Sequence, residues 1–400
     1  MKTHIGVVVM TELVIHARDV DEPTMAQIRD IAAHPAVDGL VAIMPDCHLG
    51  AGCVIGFTGK FKGAVIPNVV GVDIGCGVLL APIEGVKKGD IDFTALDGFV
   101  RNSIPLGKTR HRGPAMLDWF DARFPGRGAR ARELGELADE GFYGKLLARR
   151  PKGPAWSQLG TLGGGNHFIE INEGLDGALF LAVHTGSRHF GFQVAGFFQG
   201  MARRYQSKAG ASSGLPRGLE HLPLDKGGSE YMKWLRIAQE YAGLNRFIIA
   251  DRILSFFGLR LNEGTLVESV HNYISEKDGI VRKGAISAHK GERLVIPLNM
   301  ASGIVLGVGK GNPDYNHSAP HGAGRLFSRK EMKRRLKEGS ITMGSFRKSM
   351  EGVFSTSVLK ETIDESPMAY KRWEDIRDEV GEAVEVSALL RPVYNLKAPD

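Results

Sequence analysis

Hydrophobic residues along this chain fall into short runs and helical stripes, punctuated by glycine. "MKTHIGVVVMTELVIH" carries a brief apolar run and reads as a first strand. One lysine, an early Glu12 and no small-residue cleavage site separate it from a secretory leader. "DEPTMAQIRDIAAHP" sets Met25, Ile28 and Ile31 on one face, with Pro23 in the first turn and Pro35 past the stop, which predicts a helix. "VAIM" at 41–44 is a buried strand running into the turn residues "PDCHLGAG". From 52 to 82, short β segments alternate with Gly and Pro. Residues 108–155 change character, being basic and helical in places, and read as an insertion over about 105–155. "GALFLAVHTGSRHFGFQVAGFFQGMARRYQ" predicts a buried strand, a glycine turn and an amphipathic helix with Val194, Phe197, Phe198, Met201 and Tyr205 inward. Residues 207–227 read as loop, "EYMKWLRIAQEYAGLNRFIIADRIL" as a helix, and the chain then as strands to about 310. The end reads as helical, with Ser328 and Glu331 forming a capping box and Ser366-Pro367 starting a further helix. The elements mix without regular βαβ alternation. The predicted class is α+β: one large domain over 1–400, with a β-rich core whose strand ends bear ligands and with peripheral helices.

Composition sharpens this picture. Glycine supplies 52 of 400 residues, against a typical share of about 7%. These glycines sit among valines and isoleucines, so they mark tight turns and close approaches rather than low complexity. The net charge is +6, and residues 101–152 hold twelve Lys/Arg against six acids. A second basic run, "RKEMKRRLK", spans 329–337. Such patches suit a polyanion such as nucleic acid. No apolar run approaches the roughly 18 residues of a membrane span. Cys47, Cys53 and Cys76 are too few and odd in number for a disulfide framework, which fits a reducing cytoplasm.

The candidate chemistry lies at the glycines. "VGVDIGCGV" places Asp73 and Cys76 three apart in a cramped turn, where a metal ligand pair is at home. His167 follows three glycines and Asn166 in "GTLGGGNHFIEI", with Glu170 three residues on. His184 ends an apolar run, His271 stands in "ESVHNYIS" and His321 in "SAPHGAGR". One carboxylate, one thiolate and up to four imidazoles exceed the needs of one tetrahedral site, whereas two adjacent metals sharing a thiolate would use them. Ligand softness alone favours zinc. "GTLGGGNH" and "HGAGR" expose backbone N–H groups in the manner of anion-binding nests, and Arg325 adds a cation. His321 stands at the lip of the second nest, where an imidazole could attack phosphorus.

Taken together, "MPDCHLGAG", "PNVVGVDIGCG", "LGTLGGGNHFIE", "HTGSRHFG", "HNYI" and "SAPHGAGRLFSR" resemble, in order and from about residue 40 to 329, the RtcB family of GTP- and manganese-dependent RNA ligases. The resemblance implies that Asp73, Cys76, His167, His184 and His271 hold two Mn²⁺, with Cys76 bridging. It implies that His321 attacks the α-phosphate of GTP and carries GMP, with Asp46 orienting it. Asn166, His167, Glu170, Gly322, Ala323, Gly324, Tyr370 and Lys397 would bind GTP, and Arg188 an RNA phosphate. The activity implied joins an RNA 3′-phosphate or 2′,3′-cyclic phosphate end to a 5′-hydroxyl end, in RNA repair or tRNA splicing, by a cytoplasmic monomer with no membrane partner. The tail "NLKAPD" and the stretch "ITMGSFRKSMEGVFSTS" depart from the family pattern. Cys47 and Cys53 read as packing residues. Two other readings of the same residues are a dinuclear metal-dependent phosphoesterase without GTP, and a nucleic-acid-binding module with a structural metal.

Overall fold

Strands from the middle and the end of the chain pair into one seven-stranded sheet, seen here in a computed structural model that describes residues 11–148, 151, 153–208 and 215–398. Across it the order is Arg293–Asn299, Gly303–Gly309, Val384–Lys397, Phe168–Glu173, Leu179–Thr185, Gly77–Ile83 and Val267–Val270, with every neighbouring pair antiparallel. A second sheet orders Glu12–Ile15, Val37–His48, Ile55–Phe61, Ile280–Lys283 and Asn272–Ile274. Only its first pair is parallel. This is the expected mixture of helix and strand in a single domain built on a large β core. Residues 1–10 of the expected first strand, 209–214 of the expected loop, and Arg149, Arg150 and Lys152 lie outside the described residues.

The helices form where their apolar stripes find a sheet. In Glu22–Ala32, Asp21 accepts the Thr24 N–H at 2.9 Å, capping the first turn, and Ile28 and Ile31 are buried. The 27-residue helix Gly228–Leu254 lies under strands Leu179–Thr185 and Gly77–Ile83. Tyr231, Trp234, Leu235, Ala238, Tyr241 and Ala242 repeat at helical spacing along its buried face. The basic segment packs into the same core. Its helices Ala115–Arg123 and Pro125–Glu136 are tied down by Phe120 and Phe124, whose rings lie 5.9 and 5.0 Å from that of Phe247 on the long helix.

Two expectations are corrected at the C-terminal end. Ser366-Pro367 opens only a short 3₁₀ turn, Pro367–Ala369, and the helix begins later, as Trp373–Ala383. The chain then closes as a 14-residue strand, Val384–Lys397, in the middle of the large sheet. Pro392 argues against a central strand, because proline has no N–H for the ladder. The sheet accommodates it by a register shift between Pro392 and Tyr394.

Candidate active site

The turn bearing Asp73 and Cys76 is fixed by close approach to the long helix. Gly75 has φ +70°, and a Cβ there would meet Ala242 Cβ and Gln239 Cα at 2.9 Å each. Only glycine fits. The fully buried Arg246 donates to the Gly75 carbonyl at 2.6 Å and the Thr185 carbonyl at 2.8 Å, while the Gly75 N–H donates to the Asn272 carbonyl at 2.7 Å. Cys76 is thereby held at the start of strand Gly77–Ile83. The register pairs Gly77 with Thr185 on one side and Val270 on the other. His271 comes beside Cys76, its N–H donating to the Cys76 carbonyl at 2.9 Å, and His184 stands opposite Val78, two residues along the same strand.

Five of the expected residues converge. Cys76 Sγ lies 3.5 Å from His167 Nε2 and 3.3 Å from His184 Nε2. His184 Nε2 is 3.3 Å from His271 Nε2, and His167 Nε2 is 2.8 Å from Asp73 Oδ2. They form two groups of three, Cys76–His184–His271 and Asp73–Cys76–His167, with ligand atoms within 4.8 Å of one another in each group. Cys76 belongs to both. His184 Nδ1 stands 3.0 Å from the Asn166 carbonyl and so carries the proton, leaving Nε2 as an acceptor aimed at the cluster. Acceptor nitrogen, sulfur and carboxylate packed together out of water repel one another unless a cation lies among them. The donor set fits a pair of divalent metals.

The electrostatics agree with that fit. Burial, then the neighbouring His167 or His321, pushes His184 and His271 well below the usual imidazole range, which favours the neutral form that a metal ligand needs. Burial and the Asp73 charge push the Cys76 thiol well up. A metal would have to displace that proton. For Asp73 burial acts upward, but His167 outweighs it and the carboxyl is held well down.

Beside the cluster opens a pocket lined by His184, His271, His321, Gly322, Ala323 and Gly324. The rings of His271 and His321 are 5.0 Å apart. Asp46 Oδ2 lies 2.7 Å from His321 Nδ1, a close contact off the line of a regular hydrogen bond. Gly324 has φ +76°, and a Cβ there would meet the Asp46 carbonyl at 2.8 Å, so the nest wraps directly on the acid. Asn166, Glu170, Tyr370 and Lys397 also line the pocket, which brings together every residue expected on the nucleotide side except His167, whose ring faces the cluster.

Sequence reasoning missed Glu365. Its carboxylate, 2% exposed, meets Lys397 Nζ and Tyr370 OH at 2.8 and 2.7 Å, and Arg325 and Arg329 at 3.2 and 3.1 Å. Burial would raise its carboxyl, but Lys397, Arg329 and Arg325 hold it down at about 2. One acid thus fixes four groups of the pocket wall. Little in "IDESPMAY" marks it, because only Tyr370 is local and its other partners, Arg325, Arg329 and Lys397, come from distant segments. Arg325, expected on the nest, turns instead to Glu365 and the Asp364 carbonyl. His48, Phe168 and Asn395 also line the pocket unannounced. None of residues 339–360 is among its walls.

Arg188 begins helix Arg188–Lys208 with φ +57°, a conformation rare outside glycine. Its guanidinium lies 3.3 Å from His167 Nδ1 and donates to Thr161 Oγ1 at 3.3 Å. A Cβ on Gly163 would collide with it. Cys47 and Cys53 are buried in the main core, away from both metal groups. The basic helices differ from expectation: Arg123 pairs with Asp251, Arg127 with Glu263, Arg130 with Glu133 and Glu240, and Arg132 with Asp118. Their charge is matched locally.

Comparison with known proteins agrees with this geometry. The RNA-splicing ligase RtcB of Escherichia coli (strain K12) is 29% identical over 409 residues, covering 94% of this chain and 95% of that protein. The tRNA-splicing ligase RtcB of Archaeoglobus fulgidus is 28% identical, covering 93% and 90%. The RNA-splicing ligase RtcB2 of Escherichia coli (strain ATCC 25922) is 26% identical, covering 94% and 93%. The family model described as tRNA-splicing ligase RtcB matches residues 27–398, and the chain belongs to the RtcB family.

Proposed function

We propose that the whole chain is one RNA ligase domain that uses GTP and two Mn²⁺ to join a 3′-phosphate end to a 5′-hydroxyl end. The observation that carries this reading is the His321–Asp46 pair at a pocket that His184 and His271 of the ligand cluster also line, with the His271 and His321 rings 5.0 Å apart. With Nδ1 turned to Asp46, His321 keeps Nε2 as its nucleophilic nitrogen. Nε2 attacks the α-phosphorus of GTP, a P–N bond forms and pyrophosphate leaves. The RNA 3′-phosphate then takes GMP from His321, and the 5′-hydroxyl attacks that activated phosphorus, closing the phosphodiester and releasing GMP. A 2′,3′-cyclic phosphate is first opened by water to the 3′-phosphate.

Asp73, Cys76, His167, His184 and His271 would hold the metals, with Cys76 shared. When bound, they supply positive charge against the phosphate oxygens and help align each in-line displacement. The Gly322–Gly324 nest offers N–H groups to the nucleotide phosphates. Glu170 accepts from the guanine edge, with Asn166, Tyr370 and Lys397 around the nucleotide, and Arg188 holds an RNA phosphate. The enzyme works as a cytoplasmic monomer. Among the described residues, no helix is long and apolar enough to cross a membrane.

A phosphoesterase without GTP would also use the metal cluster, but it leaves His321, Asp46 and the nest idle. Incubation with α-labelled GTP and Mn²⁺ separates the two. The ligase reading expects acid-labile covalent label in the protein and none in His321→Ala, with metal content retained. Absence of label in the unaltered protein would overturn it.

A further inference from the structure

A second cleft shares no lining residue with the nucleotide pocket and reaches the cluster through Arg188. Arg188 is its inner wall, one contact from His167. Lys108, Arg110, His189 and Phe192 line it further out. Its charge differs in kind from that of the neighbouring basic helices. There each arginine meets an acid, whereas among the described residues no carboxylate pairs with Lys108 or Arg110. Phe192 is 51% exposed, an unusual position for a large apolar ring. Its ring lies nearly parallel to that of His189, with 17° between planes and centroids 6.0 Å apart. Both stand in the first turn of the helix that Arg188 opens in its left-handed conformation. Strain of that kind persists where the surroundings fix it, and it aims the guanidinium inward while the turn presents the rings outward.

Unpaired cations beside an exposed flat ring are the two elements of single-strand nucleic-acid recognition: phosphates on the charges and a base on the ring. We propose that this cleft seats the single-stranded end of the RNA substrate, with one base stacked on Phe192, backbone phosphates on Lys108 and Arg110, and the terminal group led past Arg188 to the cluster. The proposal rests on the ligase reading and deepens it.

The test uses the full chain and a fluorescein-labelled RNA hexamer bearing a 3′-phosphate, with binding followed by anisotropy and joining followed on a matched 5′-hydroxyl strand. Phe192→Ala is expected to raise the RNA concentration for half-saturation about tenfold, since stacking on one ring carries that order of affinity. Phe192→Trp should restore it, which a merely structural role would not predict. Lys108→Gln with Arg110→Gln should lower the slope of log affinity against log salt by about 1.4, roughly 0.7 for each lost phosphate contact. Arg132→Ala, outside the cleft, is the control. Unchanged hexamer binding and salt slope in all the cleft variants would overturn the proposal. Failure of GMP labelling in the unaltered protein would overturn the ligase reading instead, while the anisotropy would still decide the cleft.

Discussion

Asp46 Oδ2 sits 2.7 Å from His321 Nδ1, and the Asp46 carboxylate is fully buried with neither oxygen in a regular hydrogen bond among the described residues. A buried acid compensated only by one imidazole is well placed to orient that ring and to stabilise its positive charge once Nε2 has been phosphorylated. Asp46→Asn should therefore slow GMP transfer to His321 by about 10²-fold or more while leaving bound metal unchanged. Single-turnover labelling with metal analysis of the same sample checks both halves. Normal labelling in the variant would remove Asp46 from the chemistry.

The three cysteines should separate cleanly. Cys76→Ala removes the thiol common to both ligand groups, so both metals and every ligation step should be lost. Cys47→Ala and Cys53→Ala should each cost roughly 1 kcal/mol of packing and retain metal. Burial pushes these two thiols up to about 12 and about 11, so neither should alkylate with iodoacetamide at pH 8 in the native protein. Metal content by mass spectrometry decides the matter. Metal loss in Cys53→Ala would require the site to be redrawn.

Burial holds the Glu170 carboxyl up at about 7, although Asn395, Asn172 and Lys397 pull it down. The folded protein therefore binds more protons than the unfolded chain between about pH 4.5 and 7, and the stability Glu170 contributes falls as pH rises through that window. Accepting hydrogen bonds from guanine N1–H and its 2-amino group needs the ionised form. Guanosine, which has no phosphate to titrate, should bind more tightly as pH rises through about 7 and level off above. Glu170→Gln should flatten the profile. Calorimetric titration from pH 5.5 to 8.5 tests this, and a flat profile in the unaltered protein would place Glu170 outside the guanine contact.

The arginines of Pro125–Glu136 should matter little to RNA, against what their number in the sequence suggests. Arg127, Arg130 and Arg132 face acids at 2.6–2.7 Å on a half-exposed surface. Such pairs are each worth about 0.2–1 kcal/mol. Replacing all three with Ala should lower the melting temperature by a few degrees and leave RNA affinity and its salt slope unchanged within twofold. A flattened salt slope would mean that RNA displaces the acids.

Much of the ligand set was legible because each residue stands in a local signal that needs no partner to be read. Asp73 and Cys76 lie between glycines that allow a tight turn. His167 and His321 border glycine nests, and His184 ends a buried run. Helices with clear caps and stripes, such as Glu22–Ala32 and Gly228–Leu254, were equally plain. Only the tertiary structure decided what those residues meet. Antiparallel register set His271 beside Cys76 and His184 opposite Val78, and the strand carrying Lys397 entered the central sheet although Pro392 spoke against it. Glu365 gained Arg325, Arg329 and Lys397 from two distant segments, and the basic helices were neutralised by acids up to 136 residues away. Local sequence carries backbone conformation and side-chain type. Which charges cancel and which converge depends on packing across the whole chain, where burial raises the cost of every unpaired group.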